Sequence, residues 1–121
     1  MRILVCGGRD YGKTEQAISK IKDYIKDHNL NPKDIVFLSG GARGADQIPI
    51  TMFKDEPDTW GNCVVYLADW HSHGKSAGFI RNQRMLDQGR PNLVIAFTGG
   101  TGTEHMKNLS KRVGVEVLEW E

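Results

Sequence analysis

A chain of 121 residues, with 39% apolar and 26% charged residues, has the size and composition of one globular domain with a single core. Its net charge of +1 lacks the concentrated positive charge of proteins that bind duplex DNA or anionic membranes. No apolar run is long enough to span a bilayer. We therefore expect a cytoplasmic protein with no membrane partner, and we consider a nucleic-acid partner unfavoured.

Apolar segments alternate with amphipathic segments along the chain. Strands are predicted at residues 2–6, 35–38, 63–67, 92–97 and 115–118. Helices are predicted at residues 14–28, from residue 46, at residues 74–88, and after TGGTGT to about residue 112. Strands that are apolar throughout and alternate with helices indicate an α/β fold: one domain over residues 1–121 with a mostly parallel five-stranded sheet and helices on both faces. Cys6 and Cys63 lie on separate predicted strands and are interpreted as buried free thiols.

The unusual segments all follow a predicted strand: GGRDY, SGGARGAD, ADWHSHGK and TGGTGT. In parallel sheets, ligands bind beyond the carboxyl ends of the strands. The sequence therefore predicts one ligand site at this edge of the sheet, built from four loops.

Two of these loops have the composition of phosphate-binding loops, in which glycine lets backbone N–H groups approach an anion at a helix N-terminus. TGGTGT provides Gly99, Gly100, Thr101, Gly102 and Thr103, with the threonine hydroxyls as further donors. SGGARGAD provides Ser39, Gly40, Gly41 and Gly44, with Arg43 as an anion clamp. The alternative for SGGARGAD is a tight turn in which Asp46 caps the next helix.

The other candidate ligand-binding residues lie after the first and third strands. They are Gly7, Gly8, Arg9 and Asp10, then Trp70 as a stacking wall in a loop with His71 and His73, and Lys75, Gly78, Arg81 and Asn82 on the following helix. Arg9 and Asp10 hold a base or ribose in this interpretation, and a surface salt bridge between them is an equal alternative. Two histidines without a third ligand do not indicate a metal site, and no cofactor is predicted.

The segments GGRDY, SGGARGAD, ADWHSHGKSAGFIRNQRM and LVIAFTGGTGTEHM together resemble the YspA/YpsA-related branch of the SLOG superfamily. That superfamily also contains the LOG phosphoribohydrolases and the DNA-processing protein DprA. The resemblance covers nearly the whole chain. It implies a Rossmann-like fold, a nucleotide or nucleotide-derived ligand, a homo-oligomer that is often a dimer, and an origin in bacteria or their phages.

The LOG enzymes cleave the N-glycosidic bond of nucleoside monophosphates with an Arg and a Glu from two motifs. The resemblance places Arg81 at the first catalytic position, but Met106 stands where the Glu belongs. Glu104 is two residues earlier, about 200° around the helix. We therefore expect a binding protein, a sensor or a sequestering protein, with N-glycosidic hydrolysis by Arg81 and Glu104, or Asp10, as the alternative.

Residues 7–14, GGRDYGKT, also fit the phosphate-binding loop G-x-x-x-x-G-K-[ST] of nucleoside triphosphatases, with Asp69 as the acidic residue that holds Mg²⁺. This hypothesis is less favoured because it leaves SGGARGAD, RNQRM and TGGTGT without a role. Single-strand DNA binding by analogy to DprA is a further alternative, disfavoured by the low net charge.

Overall fold

The chain forms one five-stranded sheet in which every neighbouring pair of strands is parallel. In a computed structural model that describes residues 1–121, the strands are β1 (Arg2–Cys6), β2 (Val36–Ser39), β3 (Asn62–Val65), β4 (Leu93–Phe97) and β5 (Glu116–Trp120). Their order in the sheet is β3-β2-β1-β4-β5. The predicted α/β fold with five strands is confirmed, and the sheet is parallel throughout.

Five α-helices connect the strands: α1 (Thr14–Asp27), α2 (Gln47–Asp55), α3 (Trp70–His73), α4 (Ala77–Arg84) and α5 (Thr101–Arg112). Short 3₁₀ turns occur at Pro32–Asp34, Gly44–Asp46 and Gly74–Ser76, and a π turn occupies Met85–Gly89. No helix combines the length and apolar composition that crossing a bilayer requires.

The sheet buries both of its faces, because successive side chains of a strand point to opposite sides. Ile3 and Val5 of β1 pack in a cluster with α1 and α2. Leu4 and Cys6 pack in a second cluster, which contains side chains from the π turn and from α5. This arrangement explains why β1 and β4 are apolar at nearly every position, and it confirms the prediction of helices on both faces.

The helix predicted over residues 74–88 is present, but it consists of a 3₁₀ turn, α4 and a π turn that ends at Gly89. The segment begins earlier, with α3, which Asp69 caps by accepting a hydrogen bond from the Ser72 N–H at 3.0 Å. Trp70 and both histidines of the predicted loop therefore lie on a short helix. Gly74 adopts a φ of +53°, which interrupts the helix before α4 begins. The third strand also ends two residues earlier than predicted, at Val65.

The strand order places a switch in direction at the centre of the sheet. From β1 the chain moves outward through β2 to β3, and β4 then starts on the other side of β1 and leads to β5. The loops after β1 and β4 therefore leave the sheet on opposite faces. In open parallel sheets this divergence opens a crevice at the carboxyl ends of the two central strands.

Candidate functional site

A cleft of about 800 Å³ occupies this crevice. Its size is within the range of small-molecule binding pockets. It brings together most of the residues that the sequence singled out: Gly7, Gly8, Arg9, Asp10, Trp70, Lys75, Gly78, Arg81, Asn82, Gly99, Gly100, Thr101, Gly102 and Thr103. All four candidate loops thus contribute to one concave surface at the predicted edge of the sheet, the loop SGGARGAD only through Ala42 and Asp46.

The N-terminus of α5 forms one end of the cleft. Gly100 is its N-cap, and no side chain caps the helix. The first intrahelical hydrogen bond runs from the Glu104 N–H to the Gly100 carbonyl at 3.0 Å, so the N–H groups of residues 101–103 have no acceptor within the helix. A Cβ built on Gly100 or Gly102 would meet no atom within 4 Å. The positive end of the helix dipole is therefore open to the cleft.

Arg81 and Asn82 lie beside this helix terminus. Arg81 donates from Nη1 to the Gly40 carbonyl at 2.6 Å and from Nε to Asn82 Oδ1 at 3.0 Å. Asn82 in turn donates from Nδ2 to the Gly102 carbonyl at 3.2 Å. These bonds fix the guanidinium and leave Nη2 without a protein acceptor. Burial lowers the pKa of Arg81, an effect that the Asp46 carboxylate opposes, and the guanidinium remains charged at neutral pH.

Asp46 also lines the cleft, although from the sequence we expect it only to cap the following helix. That prediction is wrong, because its side chain makes no capping hydrogen bond to α2. Its Oδ2 instead accepts a hydrogen bond from the Ala42 N–H at 3.2 Å. The residue is only 7% exposed, and burial raises the pKa of its carboxyl to about 6 against the opposing effects of Arg81 and Arg9. A carboxyl with a raised pKa in a cleft is typical of functional sites.

The rim of the cleft is cationic and aromatic. The Arg9 guanidinium lies over the Trp70 ring, 5.2 Å from its centroid. Trp70 is 48% exposed and thus offers an accessible aromatic surface, which Arg9 partly covers. Asp10 pairs with Arg43 at 3.1 Å rather than with Arg9. Both partners are well exposed, so this ion pair contributes little to stability.

The residues of SGGARGAD before Asp46 mostly lie behind the cleft. Ser39 is buried, and its hydroxyl donates to the Asp46 carbonyl at 2.6 Å. A Cβ on Gly40 would lie 2.5 Å from Arg81 Nη1, and one on Gly41 would lie 2.7 Å from Leu67 Cδ2. Gly44 has a φ of +82° and packs against the Gly8 carbonyl. The structure therefore places Ser39, Gly40, Gly41, Arg43 and Gly44 outside the lining of the cleft, where the glycines bring neighbouring segments into contact.

Glu104, the carboxylate of the hydrolase alternative, also lies outside the lining. It forms an ion pair with Lys107 at 2.5 Å, and its side chain is 60% exposed. Met106 lines the cleft instead. Asp69, the acidic residue of the triphosphatase alternative, follows the edge strand β3, two strands from β1, and caps α3. Lys13 does line the cleft.

Several lining residues were not predicted from the sequence, among them Cys6, Tyr11, Ala42, Asp46, Phe79, Thr98, Met106 and Glu121. Gly12 and Lys13 were singled out only in the triphosphatase-like motif, and helical spacing predicts that Met85 shares the face of Arg81 and Asn82. The same spacing could have indicated Met106, which is three residues after Thr103. Glu121 carried no such signal, because the end of β5 approaches the cleft only in the folded sheet.

The fold and the cleft define a Rossmann-like α/β protein with a ligand-sized crevice at the switch point of its sheet. The chain is similar to the "Gene 61 protein" of Mycobacterium phage D29, with 29% identity over 123 residues that cover 98% of this chain and 95% of the phage protein. No family model matches the chain, and no solved structure matches it. The similarity to the phage protein thus extends over nearly the whole chain.

Proposed function

We propose that the protein binds a nucleotide or a nucleotide-derived ligand in the cleft, as a sensor or a sequestering protein. The observation that carries the proposal is the open N-terminus of α5 beside Arg81. Backbone N–H groups at residues 101–103 offer hydrogen bonds to an anion. A phosphate group has the charge and the acceptor oxygens that this arrangement accommodates.

Arg81 supports the same end of the ligand. Its Nη2 has no acceptor in the protein, and the residue lines the cleft. A Cβ on Gly78 would lie 3.9 Å from Nη2, so the glycine leaves room at this point of α4. A guanidinium that is held in place by Gly40 and Asn82 loses little conformational entropy when it binds an anion. Arg81 thus provides a hydrogen-bond donor of fixed orientation in addition to the N–H groups of the α5 terminus.

The rest of the cleft suits the uncharged part of a nucleotide. Tyr11, Trp70, Phe79 and Met85 provide apolar and aromatic surface, on which a base can stack. Lys13 and Lys75 add positive charge to the lining. A purely inorganic anion would leave this surface unused, which favours a ligand that carries both a phosphate and a base.

The direct test is binding of a ligand panel to the purified protein. Nucleoside monophosphates, ADP-ribose derivatives and cyclic nucleotides are incubated with the protein, which is then filtered, and the bound fraction is released by heat and separated by chromatography. We expect an intact nucleotide in the heat-released fraction and an increase in melting temperature with the same compound. If no compound at millimolar concentration is retained or raises the melting temperature, the proposal is wrong.

A pair of variants tests the position of the phosphate. Gly100→Asp would cap α5 with its own carboxylate and occupy the N–H groups with a negative charge. We expect this variant to melt at or above the temperature of the wild type and to lose the ligand. Gly12→Asp is the matched control, because Gly12 also lines the cleft and a Cβ there meets no atom within 4 Å. Equal losses in both variants would show a general charge effect and no specific site at α5.

The hydrolase alternative uses the same cleft and adds release of a free base. This alternative has less support, because Glu104 does not line the cleft and its carboxylate forms an ion pair with Lys107. The chromatography of the panel separates the two functions, since a hydrolase releases free base and ribose phosphate into the filtrate. Turnover that is lost in Arg81→Ala and in Glu104→Gln would favour the hydrolase.

We further propose that the protein acts in the cytoplasm of a bacterium or of a phage-infected host, as a homo-oligomer. The similarity to a phage protein supports the origin. Exposed apolar side chains near α3 and α4, among them Leu67 and Ile80, are consistent with contact between subunits. Sedimentation velocity tests the oligomer, and a monomer at high protein concentration would contradict it.

A further inference from the structure

Asp46 has one carboxylate oxygen that the protein does not use. Oδ2 accepts the Ala42 N–H, whereas no donor of the protein bonds to Oδ1. No buried side-chain oxygen of the protein lacks a partner. Oδ1 is therefore accessible, and since the residue is almost buried and lines the cleft, the cleft is where this oxygen is reached.

The carboxylate lies close to Arg81 without being neutralised by a direct bond to it. Both side chains approach Gly40, where a Cβ would lie 2.5 Å from Arg81 Nη1 and 2.8 Å from Asp46 Oδ2. Arg81 donates to the Gly40 carbonyl and to Asn82, and not to the carboxylate. A charged acceptor is thus kept in a site where burial opposes its ionisation.

Asp46 and the helix terminus belong to one wall of the cleft. Asn82 donates a hydrogen bond to the Gly102 carbonyl, and Arg81 donates to Asn82 Oδ1 and to the Gly40 carbonyl. A ligand whose phosphate lies at α5 can therefore extend along Arg81 toward Asp46. The two ends differ in chemistry, because α5 offers donors and an ionised Asp46 offers only acceptors.

We propose that Asp46 determines ligand specificity by accepting a hydrogen bond from an uncharged part of the ligand and by rejecting a second phosphate at that position. This inference rests on the proposed function. The donor is a sugar hydroxyl or an exocyclic amine of the base. A ligand without a donor there leaves a desolvated carboxylate unpaired, and a second phosphate adds repulsion between like charges.

The ionisation of Asp46 provides a second signature. The groups that face the carboxylate are Arg81 from α4, Arg9 from the loop after β1, and the thiol of Cys6 at the end of β1. With a pKa of about 6, the carboxyl is ionised at neutral pH and protonated in mild acid. A protonated carboxyl can donate to a phosphate oxygen, so the rejection of a second phosphate should weaken as the pH falls through 6. Phosphate groups titrate in the same range, so the wild type is compared with Asp46→Asn at each pH.

The experiment measures dissociation constants of AMP, 2′-deoxy-AMP, inosine monophosphate and adenosine 3′,5′-bisphosphate by calorimetry. For the wild type we expect AMP to bind about tenfold more tightly than the bisphosphate at a pH well above 6. Weaker binding of 2′-deoxy-AMP would identify the sugar hydroxyl as the donor, and weaker binding of inosine monophosphate the amine. In Asp46→Asn the carboxamide keeps an acceptor for Ala42 and turns its NH₂ to the cleft. The bisphosphate should then gain about tenfold relative to AMP.

Asp23→Asn is the matched control, because it makes the same change on an exposed carboxylate of α1 that does not line the cleft. We expect this control to change the ratio of the two affinities by less than about twofold. If Asp46→Asn does not fold, Asp46→Ser, which also has a donor, is measured in its place. An unchanged ratio in the Asp46 variant would overturn the specificity role and leave the proposed function intact. If AMP and the other three compounds bind neither the wild type nor the variant while the wider panel also fails, the proposed function itself is wrong.

Discussion

Two glycine-rich loops of similar sequence have different tasks in this molecule. The loop after β2, residues 39–46, uses its glycines to pack against Arg81, Leu67 and the chain at Gly8. In the loop after β4, residues 98–103, Gly99 is packed in the same way, but Gly100 and Gly102 face open space. One loop is mainly a support, and the other presents a helix terminus to the cleft.

The comparison shows that glycine content alone does not distinguish a binding loop from a packing loop. Both loops are followed by helical structure. The loop after β2 leads into a 3₁₀ turn and α2, whereas the loop after β4 leads directly into α5, whose first N–H groups remain without intrahelical acceptors. What separates the loops is the space around each Cα, which depends on segments that are distant in sequence.

The largest effect should come from a methyl group in the supporting loop. Gly44→Ala would force a Cβ against the Gly8 carbonyl at a φ of +82°. We expect the free energy of unfolding, measured with urea, to fall by about 3 kcal/mol or more. Gly102→Ala in the open loop is the control, and it should change stability by less than about 1 kcal/mol because a Cβ there meets nothing. Similar costs at both positions would remove the distinction between the loops.

Removing the guanidinium beside α5 should have the next largest effect. In Arg81→Gln the ligand loses a charged donor, and we expect its affinity to fall about tenfold to a hundredfold. Arg84→Gln is the control on the same helix, since Arg84 donates to the Leu67 carbonyl and does not line the cleft. A titration of each variant with the ligand found in the panel provides the comparison. Equal affinity of Arg81→Gln and the wild type would exclude Arg81 from the site.

Asp46 should lower the stability of the protein at neutral pH. Its pKa is raised from 3.8 to about 6 on folding, so the folded state binds the proton more tightly than the unfolded state. The tighter proton binding therefore stabilises the folded state fully below pH 3.8, and this stabilisation is lost as the pH rises through about 6. Asp46→Asn should be more stable than the wild type above this range, by on the order of 2 kcal/mol.

Urea unfolding at several pH values checks this difference. The gain in unfolding free energy from Asp46→Asn should disappear as the pH falls below 3.8, where the Asp46 carboxyl of the wild type is protonated in both the folded and the unfolded state. Asp10→Asn, the same change on an exposed carboxylate, should alter stability by less than about 0.5 kcal/mol. A gain from Asp46→Asn that does not depend on pH would mean that ionisation of the carboxyl is not its cause.

The smallest effect is expected at the triphosphatase-like motif. Lys13→Ala removes one cation from the lining of the cleft, and we expect less than about a threefold loss of affinity for a nucleoside monophosphate. A P-loop enzyme would lose its triphosphate binding with this lysine. Complete loss of nucleotide binding in Lys13→Ala would therefore favour the triphosphatase alternative over the site at α5.

Much of the fold could be predicted from the sequence, because local patterns determine it. β1 and β4 are apolar at almost every position, and α1 repeats its buried residues at helical spacing. The short helix α3 and its cap by Asp69 were missed, because a helix of four residues is too short to show helical periodicity in the sequence. The early end of β3 was missed because an apolar edge segment does not indicate where strand pairing stops.

The loops that form the candidate site could be predicted from the sequence, but the roles of some of their residues could not. Its location followed from the rule that parallel sheets bind ligands beyond the carboxyl ends of their strands. Asp46 was predicted only to cap a helix, because its place in the cleft depends on Arg81, which is distant from it in the chain. Arg43 was predicted to bind an anion of the ligand, whereas in the fold it forms an ion pair with Asp10 on the surface.

The most direct test of the central claim is a backbone NMR titration of the protein with inorganic phosphate and then with AMP. We expect the amide signals of Thr101, Gly102 and Thr103 to shift until the site is saturated, while those of Gly40, Gly41 and Gly44 change little. Shifts confined to the loop after β2, or to Gly12 and Lys13, would contradict the assignment of the phosphate to the N-terminus of α5.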